Sequence, residues 1–153
     1  MVRSKTGFRL CVFLIICNLI FIWGNSLLPG EISGAFSDWV KDLVAPLFGW
    51  EGGGAGKGGL LRKVAHFTEF ATLGVYLCWL WRILNKKTLQ QLLFSLAVAF
   101  AVACIDETIQ IFVPLRGPGF KDVLIDSSGA LSGICIFLLV QYFKTKALKE
   151  TKL

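Results

Sequence analysis

No CxxC pair occurs in the sequence, and the five cysteines (Cys11, Cys17, Cys78, Cys104 and Cys135) all fall inside apolar runs. This argues against a disulfide framework, and the thiols read as small buried side chains. His66 is the one histidine, which leaves no second imidazole for a role that needs two. There is no internal repeat. The stretch Glu51 to Gly59, EGGGAGKGG, is glycine-rich without being a phosphate loop. That pattern needs a glycine where Glu51 stands and a Ser or Thr where Gly58 stands, so the stretch reads as a flexible linker. No A-x-A-like cleavage site follows the first apolar run. Gly24-Asn25-Ser26 is a weak stand-in, so the run is expected to be retained as a span. No Ser or Cys is placed by its neighbours as an obvious nucleophile.

Long apolar runs are abundant. Of the 153 residues, 55% are of apolar type, and mean hydropathy is +0.67, above the range of soluble domains. The runs cover 8–23, 60–81, 89–113 and 123–143, and each suffices for a helix crossing about 30 Å of hydrocarbon. The sequence therefore predicts an all-α, single-domain, integral membrane helix bundle of four spans. Between the first two spans, residues 31–48 place Ile32, Phe36, Trp39, Val40, Leu43, Val44, Leu47 and Phe48 at helical spacing. Glu31, Asp38, Lys41 and Asp42 take the other side. This predicts an amphipathic helix, either flat on the outer membrane surface or packed on the bundle top, with Pro46 bending its end.

Basic residues set the orientation. Arg3, Lys5 and Arg9, then Arg82, Lys86 and Lys87, then Lys144, Lys146, Lys149 and Lys152 make ten of the 16 Lys and Arg, opposed only by Glu150. By the positive-inside rule both termini are cytoplasmic. The pI of about 9.2 then reflects topology and not a nucleic-acid partner, because no compact basic domain carries it.

Polar residues gather at the opposite, outer level. The second run has a clean apolar stretch only from Phe70 to Trp81, so a span must reach back to about Arg62 and take His66 and Glu69 into the membrane. Arg62, His66, Glu69 and Leu73 share one helical face, flanked by Lys63. The third run ends in Asp106, Glu107 and Gln110, closed by Pro114, with Arg116 in the loop beyond. The fourth opens after Lys121 with Asp122 and Asp126 above Gly129 and Gly133, a small-residue seam that lets a helix come close. Ionisable groups at membrane depth are functional candidates because a bare charge facing lipid costs at least ~2.5 kcal/mol. Snorkelling and helix capping compete with that reading, most strongly at Arg62, Lys121 and Asp122. Asn18 reads as a helix-packing hydrogen bond.

Three pieces taken in order resemble the VanZ-like family. They are Lys63-x-x-His66-Phe67-x-Glu69-Phe70, then Asp106-Glu107-x-x-Gln110-x-Phe112-x-Pro114-x-Arg116, then Asp122-Val123-x-x-Asp126-x-x-Gly129. The resemblance covers nearly the whole chain and implies a bacterial envelope protein, located in the cytoplasmic membrane by the basic bias. The family's founding member is associated with teicoplanin resistance. Many relatives have His just before the Gln of the second piece, where this chain has Ile109.

Three uses of the polar cluster are open. In the first, the site binds a membrane lipid headgroup or lipid-linked envelope precursor. Arg62, Lys63 and Arg116 would clamp phosphate, and the acids and Gln110 would orient these cations. In the second, the protein is an intramembrane enzyme with His66 as acid or base, tuned by Glu69 or a third-span carboxylate. Asp106, Glu107, Asp122 or Asp126 would then be candidates to hold a divalent metal. In the third, it is a lipid-moving or proton-coupled carrier, which four helices would serve as a homo-oligomer joined through Gly129 and Gly133, unless that seam packs within the chain. The sequence names no cofactor and no particular ligand.

Overall fold

The computed structural model describes residues 5–48, 57–117 and 119–151. Five helices occur among them and no strand: α1 (Lys5–Leu27), α2 (Gly30–Phe48), α3 (Lys57–Ile83), α4 (Thr88–Ile111) and α5 (Phe120–Glu150). The all-helical class expected from the apolar runs is the class observed. Most of the glycine-rich stretch expected to be a linker lies outside the described residues. The backbone of α2 is helical to Phe48, through Pro46.

Three helices, α1, α4 and α5, are long and apolar enough to cross a membrane. At 27 residues, α3 is about 40 Å long by helical rise. It is too polar to qualify by the same measure, because Arg62, Lys63, His66 and Glu69 crowd its first half. Its place in the bundle compensates for that polarity. It is the hub, contacting all four other helices. Its Phe70, Leu73 and Leu77 form the core with Ile22 of α1, Ala99, Val102 and Ala103 of α4, and Val123 and Ala130 of α5.

Side chains on the outside of the bundle are large and apolar, such as Phe13, Ile20, Leu93, Ile136 and Leu139, as befits helices solvated by hydrocarbon. With lipid outside, apolar burial does not drive helices together, and close packing must do so. The closest packing joins α3 to α5. A Cβ added at Gly129 would strike the Phe67 carbonyl, one at Gly133 the Ala71 carbonyl, and one at Gly74 the Ala130 carbonyl. The Gly129–Gly133 seam therefore packs within the chain, and α3 occupies the surface that a second copy would need.

Two short connections set the ends. Asn85, at φ 58°, ends α3 in the left-handed region, and the Lys86 N–H bonds the Trp81 carbonyl at 2.9 Å, as in a Schellman cap. At the other end, the Gly30 N–H bonds the Pro114 carbonyl at 3.1 Å. Gly30 also abuts the Leu115 carbonyl so closely that a side chain would not fit. Leu115 is itself left-handed, at φ 58°, a strain of roughly 1–2 kcal/mol. These contacts bind the α1–α2 junction to the α4–α5 loop.

Both apolar and acidic residues of α2 are exposed. Ile32, Trp39 and Leu43 of α2 are 55–62% exposed, whereas Ser37 is buried and Ser33 and Val40 are half-buried. Among the described side chains, Ser33, Ser37 and Val40 face the bundle, and Ile32, Trp39 and Leu43 lie outside together with Glu31, Asp38 and Asp42.

The glycine seam gives a direct test. Gly133→Leu should destabilise the purified protein by about 1–3 kcal/mol or prevent its folding, the cost of forcing a side chain into a filled space. Gly34→Ala, at a helix position with open space around it, should instead stabilise by up to ~1 kcal/mol. Thermal unfolding in detergent should separate the two variants in opposite directions. Equal melting temperatures would rule out the α3–α5 contact.

Candidate functional site

The connections described above bring the ends of α1, α3, α4 and α5 to one level, and the polar residues of all four meet there. Asp106 and Asp126 lie at the centre, 0% and 1% exposed. They sit on different helices with the His66 ring between them: its Nδ1 is 3.8 Å from Asp106 Oδ2 and 3.9 Å from Asp126 Oδ1. Neither separation is a hydrogen bond. His66 Nδ1, Asp106 Oδ1 and Asp126 Oδ2 are all buried without a partner.

The carboxylates are held by neutral donors. Ser26 Oγ donates to Asp106 Oδ2 at 2.8 Å, and Gln110 Nε2 donates to the same oxygen at 3.0 Å. Gln110 Nε2 is also 3.1 Å from Glu107 Oε1, and the Gly119 N–H donates to Glu107 Oε2 at 2.8 Å. Glu107 thus fixes the start of α5 against the end of α4. Asn25 Nδ2 donates to Glu69 Oε1 at 2.7 Å, while Glu69 Oε2 is buried and unpartnered.

The cations take unexpected partners. Arg116 folds back under the α1–α2 junction, where its Nε donates to the Leu28 carbonyl at 3.0 Å and its Nη2 to the Asn25 carbonyl at 2.6 Å. These carbonyls lie at and just beyond the end of α1, where acceptors outrun the helix's own donors, although the Asn25 carbonyl also accepts the Leu28 N–H at 3.2 Å. Arg116 Nη1 is left buried with no partner. Burial, and then the charge of Arg62, push the Arg116 pKa down, against Asp106 and Glu107; a guanidinium stays charged regardless. Lys63 reaches Asp122 at 3.6 Å on the rim, where both side chains are partly exposed, so the pair contributes at most about 1 kcal/mol. The sequence predicts opposite charges within ~4 Å. That holds for Lys63 and, if the imidazole is protonated, for His66. Among the described residues neither Arg62 nor Arg116 has a carboxylate at that distance.

Two cavities adjoin the cluster. The larger, ≈270 Å³, lies between α1, α2 and α3 and is lined by Leu28, Val40, Leu61 and Val64 together with Arg62, His66, Glu69 and Arg116. The smaller, ≈10 Å³, lies toward α5, with His66, Glu107, Gln110, Asp122 and Asp126 among its walls. Arg62 and His66 border both.

All ten candidate residues of the sequence reading (Arg62, Lys63, His66, Glu69, Asp106, Glu107, Gln110, Arg116, Asp122 and Asp126) thus lie in or beside this cluster. Lys121 forms no part of it. The side-chain Oδ1 of Asn18, expected to make a packing hydrogen bond, is buried without a partner among the described residues. Sequence reasoning missed Asn25 and Ser26, which hold Glu69 and Asp106, and Ser33 and Ser37, which line the larger cavity. A signal was present, since Asn25 and Ser26 are polar residues at the outer end of the first apolar run.

Removing Asn25 tests the arrangement. Asn25→Ala strips Glu69 of its hydrogen-bond donor and should cost about 1–3 kcal/mol of stability. The double variant Asn25→Ala/Glu69→Leu should recover part of that loss, because the orphaned carboxyl group is gone. Denaturation of the purified proteins measures both, and an Asn25→Ala protein as stable as wild type would remove the Asn25–Glu69 bond from this account.

No curated protein and no solved structure matches the chain. A sequence model of the VanZ/LLP1 family matches residues 9–141, a stretch that holds every side chain of the cluster. With three span-capable helices and that match over most of its length, the chain belongs to the VanZ/LLP1 family of membrane proteins, which is linked to teicoplanin resistance.

Proposed function

We propose that the protein binds the anionic headgroup of a membrane lipid, or of a lipid-linked cell-envelope precursor, in the larger cavity beneath α2. The observation that carries this reading is Arg116, whose Nη1 is buried without a partner, on the wall of a cavity of ≈270 Å³ that is otherwise largely apolar. A buried guanidinium nitrogen without an acceptor is costly. Phosphate supplies acceptors in the planar geometry that arginine binds best. Arg62 adds a second cation, and Ser33, Ser37 and Asn25 add neutral groups. The exposed stripe of Ile32, Trp39 and Leu43 suits a helix resting in the headgroup region, where it would cover a lipid held by its phosphate.

This reading places α3 as the fourth span, shielded from lipid by its neighbours, in a bacterial cytoplasmic membrane. Both termini face the cytoplasm and the site faces outward, where glycopeptides act. Single cysteines in a background without the native ones test the topology. A cysteine at Asp42 should react with an impermeant thiol reagent added to whole cells, and one at Lys87 should react only after lysis. The reverse pattern would turn the site inward and remove the link to the outer surface.

Lipids retained by the purified protein test the ligand. Mass spectrometry of the wild type should find an anionic or pyrophosphate lipid in roughly stoichiometric amount. Arg116→Ala should lower its occupancy by about tenfold or more, since a charge-assisted bond contributes about 1.5–3 kcal/mol. Equal lipid content in the two proteins would refute the binding site.

A second reading, an intramembrane enzyme, draws on the His66 ring set between two carboxylates. In that case His66→Gln, which can hydrogen-bond but takes no proton at neutral pH, should abolish turnover of a lipid substrate while retaining the lipid. A binding module would lose only part of its effect, and less than with Arg116→Ala.

A further inference from the structure

The geometry points to a site for one first-row divalent metal ion, Mn²⁺ or Zn²⁺, bound by His66 Nδ1 and one carboxylate oxygen each of Asp106 and Asp126. The three side chains come from α3, α4 and α5, and their ligand atoms lie within 4.8 Å of one another. Bonds of ~2.1 Å at tetrahedral to trigonal angles put ligand atoms ~3.4–3.6 Å apart. The His66 separations of 3.8 and 3.9 Å would close onto such an ion with shifts of a few tenths of an ångström.

Two further observations point to a bound ion and not to a self-sufficient cluster. First, the group is left with unsatisfied atoms: His66 Nδ1, which lies 3.8 Å from Asp106 Oδ2 and 3.9 Å from Asp126 Oδ1, and the other carboxylate oxygens, Asp106 Oδ1 and Asp126 Oδ2, have no hydrogen-bond partner, although both aspartates are at least 99% buried. Second, no Lys or Arg among the described residues pairs with either aspartate within 4 Å. Two buried carboxylates without a cation are a large electrostatic cost. A divalent ion with two carboxylates and one neutral imidazole is charge-neutral.

The surroundings supply the support that metal ligands receive elsewhere. Ser26 and Gln110 bond the Asp106 carboxylate and fix its plane. Glu107 and Asp122 are not ligands in this arrangement, because Glu107 is committed to Gln110 and Gly119 and Asp122 to Lys63 at the rim. One imidazole and two carboxylates favour Mn²⁺ or Zn²⁺ over Ca²⁺, which takes oxygen ligands only. Three protein ligands leave positions open for water or a phosphate oxygen, and His66 borders the larger cavity as well.

The site does not depend on the lipid reading, since the ion can bind with the larger cavity empty. The test uses full-length protein in detergent, stripped by chelator, with Mn²⁺ alone as the probe. One ion per chain is expected, and pulsed electron paramagnetic resonance of the bound Mn²⁺ should show coupling to an imidazole nitrogen. Asp126→Asn should weaken binding by at least about tenfold, and His66→Gln should abolish the nitrogen coupling. Asp42→Asn, on the exposed face of α2, should bind as wild type does. Absence of stoichiometric Mn²⁺ in wild type, or bound Mn²⁺ without nitrogen coupling, overturns the assignment. The wild-type spectrum decides this even if a variant fails to fold. Loss of the retained lipid in Arg116→Ala with Mn²⁺ binding intact would separate the two sites, whereas an unchanged lipid content would sink the lipid reading alone.

Discussion

Everything at the polar end of this bundle depends on how closely α3 approaches α5. Gly74, Gly129 and Gly133 each lie so close to a carbonyl of the facing helix that a methyl group would not fit. Close backbone approach supplies the dispersion contacts that hold helices together in lipid, where burial of apolar surface gains little. It also fixes a distance. His66 lies one residue before Phe67, whose carbonyl abuts Gly129, and Asp126 lies just under one turn before Gly129. The small-residue seam therefore sets the His66–Asp126 separation, and a wider crossing would leave the imidazole short of the aspartate.

That packing carries an unusual polar load. Glu69, Asp106, Glu107, Gln110 and Asp126 are all buried, in a bundle whose exterior is hydrocarbon-like. Neutral donors (Ser26, Asn25, Gln110 and the Gly119 amide) satisfy some of the carboxylate oxygens, but each of Glu69, Asp106 and Asp126 keeps one oxygen without a partner. Arg116 is spent on the carbonyls of Asn25 and Leu28, where α1 ends. A scaffold selected for stability alone would place apolar residues here, since they are no worse than a buried pair and far better than unpaired charges. The unsatisfied atoms are best understood as sites for something outside the chain.

Much of this was legible in the sequence, for identifiable reasons. A charge in a span must face protein, so the spacing of Arg62, His66, Glu69 and Leu73 locates the inner face of α3, and Leu73 and Glu69 are indeed buried. The spacing of Asp126, Gly129 and Gly133 likewise places the acid on the packed side of α5. Pairings between helices were not legible, because periodicity describes one helix at a time. Nothing in the sequence says that Arg116 caps α1 instead of meeting an acid, or that Lys63 reaches Asp122. Asn25 and Ser26 escaped notice because a polar pair after an apolar run is also what a cleaved leader leaves behind. For α2, the hydrophobic pattern gave no sign that Ser33 and Ser37 would face inward beside Val40 while Ile32, Trp39 and Leu43 stay exposed.

The two cavities make separate demands that meet at one side chain. The larger is apolar with a cationic edge, suited to a phosphate carried on a hydrocarbon chain. The smaller has Glu107, Asp122 and Asp126 in its walls beside Arg62 and Lys63, and the Asp106–Asp126 pair next to His66 suits a cation. A phosphate and a divalent ion attract each other, and His66 stands between the two spaces with its Nδ1 turned toward the aspartates. Substitution of His66 would then act on both: through metal affinity, because a ligand is gone, and through the lipid, because the boundary between headgroup and ion has changed. Arg116 lines the larger cavity and not the smaller, and its hydrogen bonds go to the Leu28 and Asn25 carbonyls, so it reaches the ion only through its charge. This asymmetry allows ligand capture and metal chemistry to be separated, even though a few ångströms divide them.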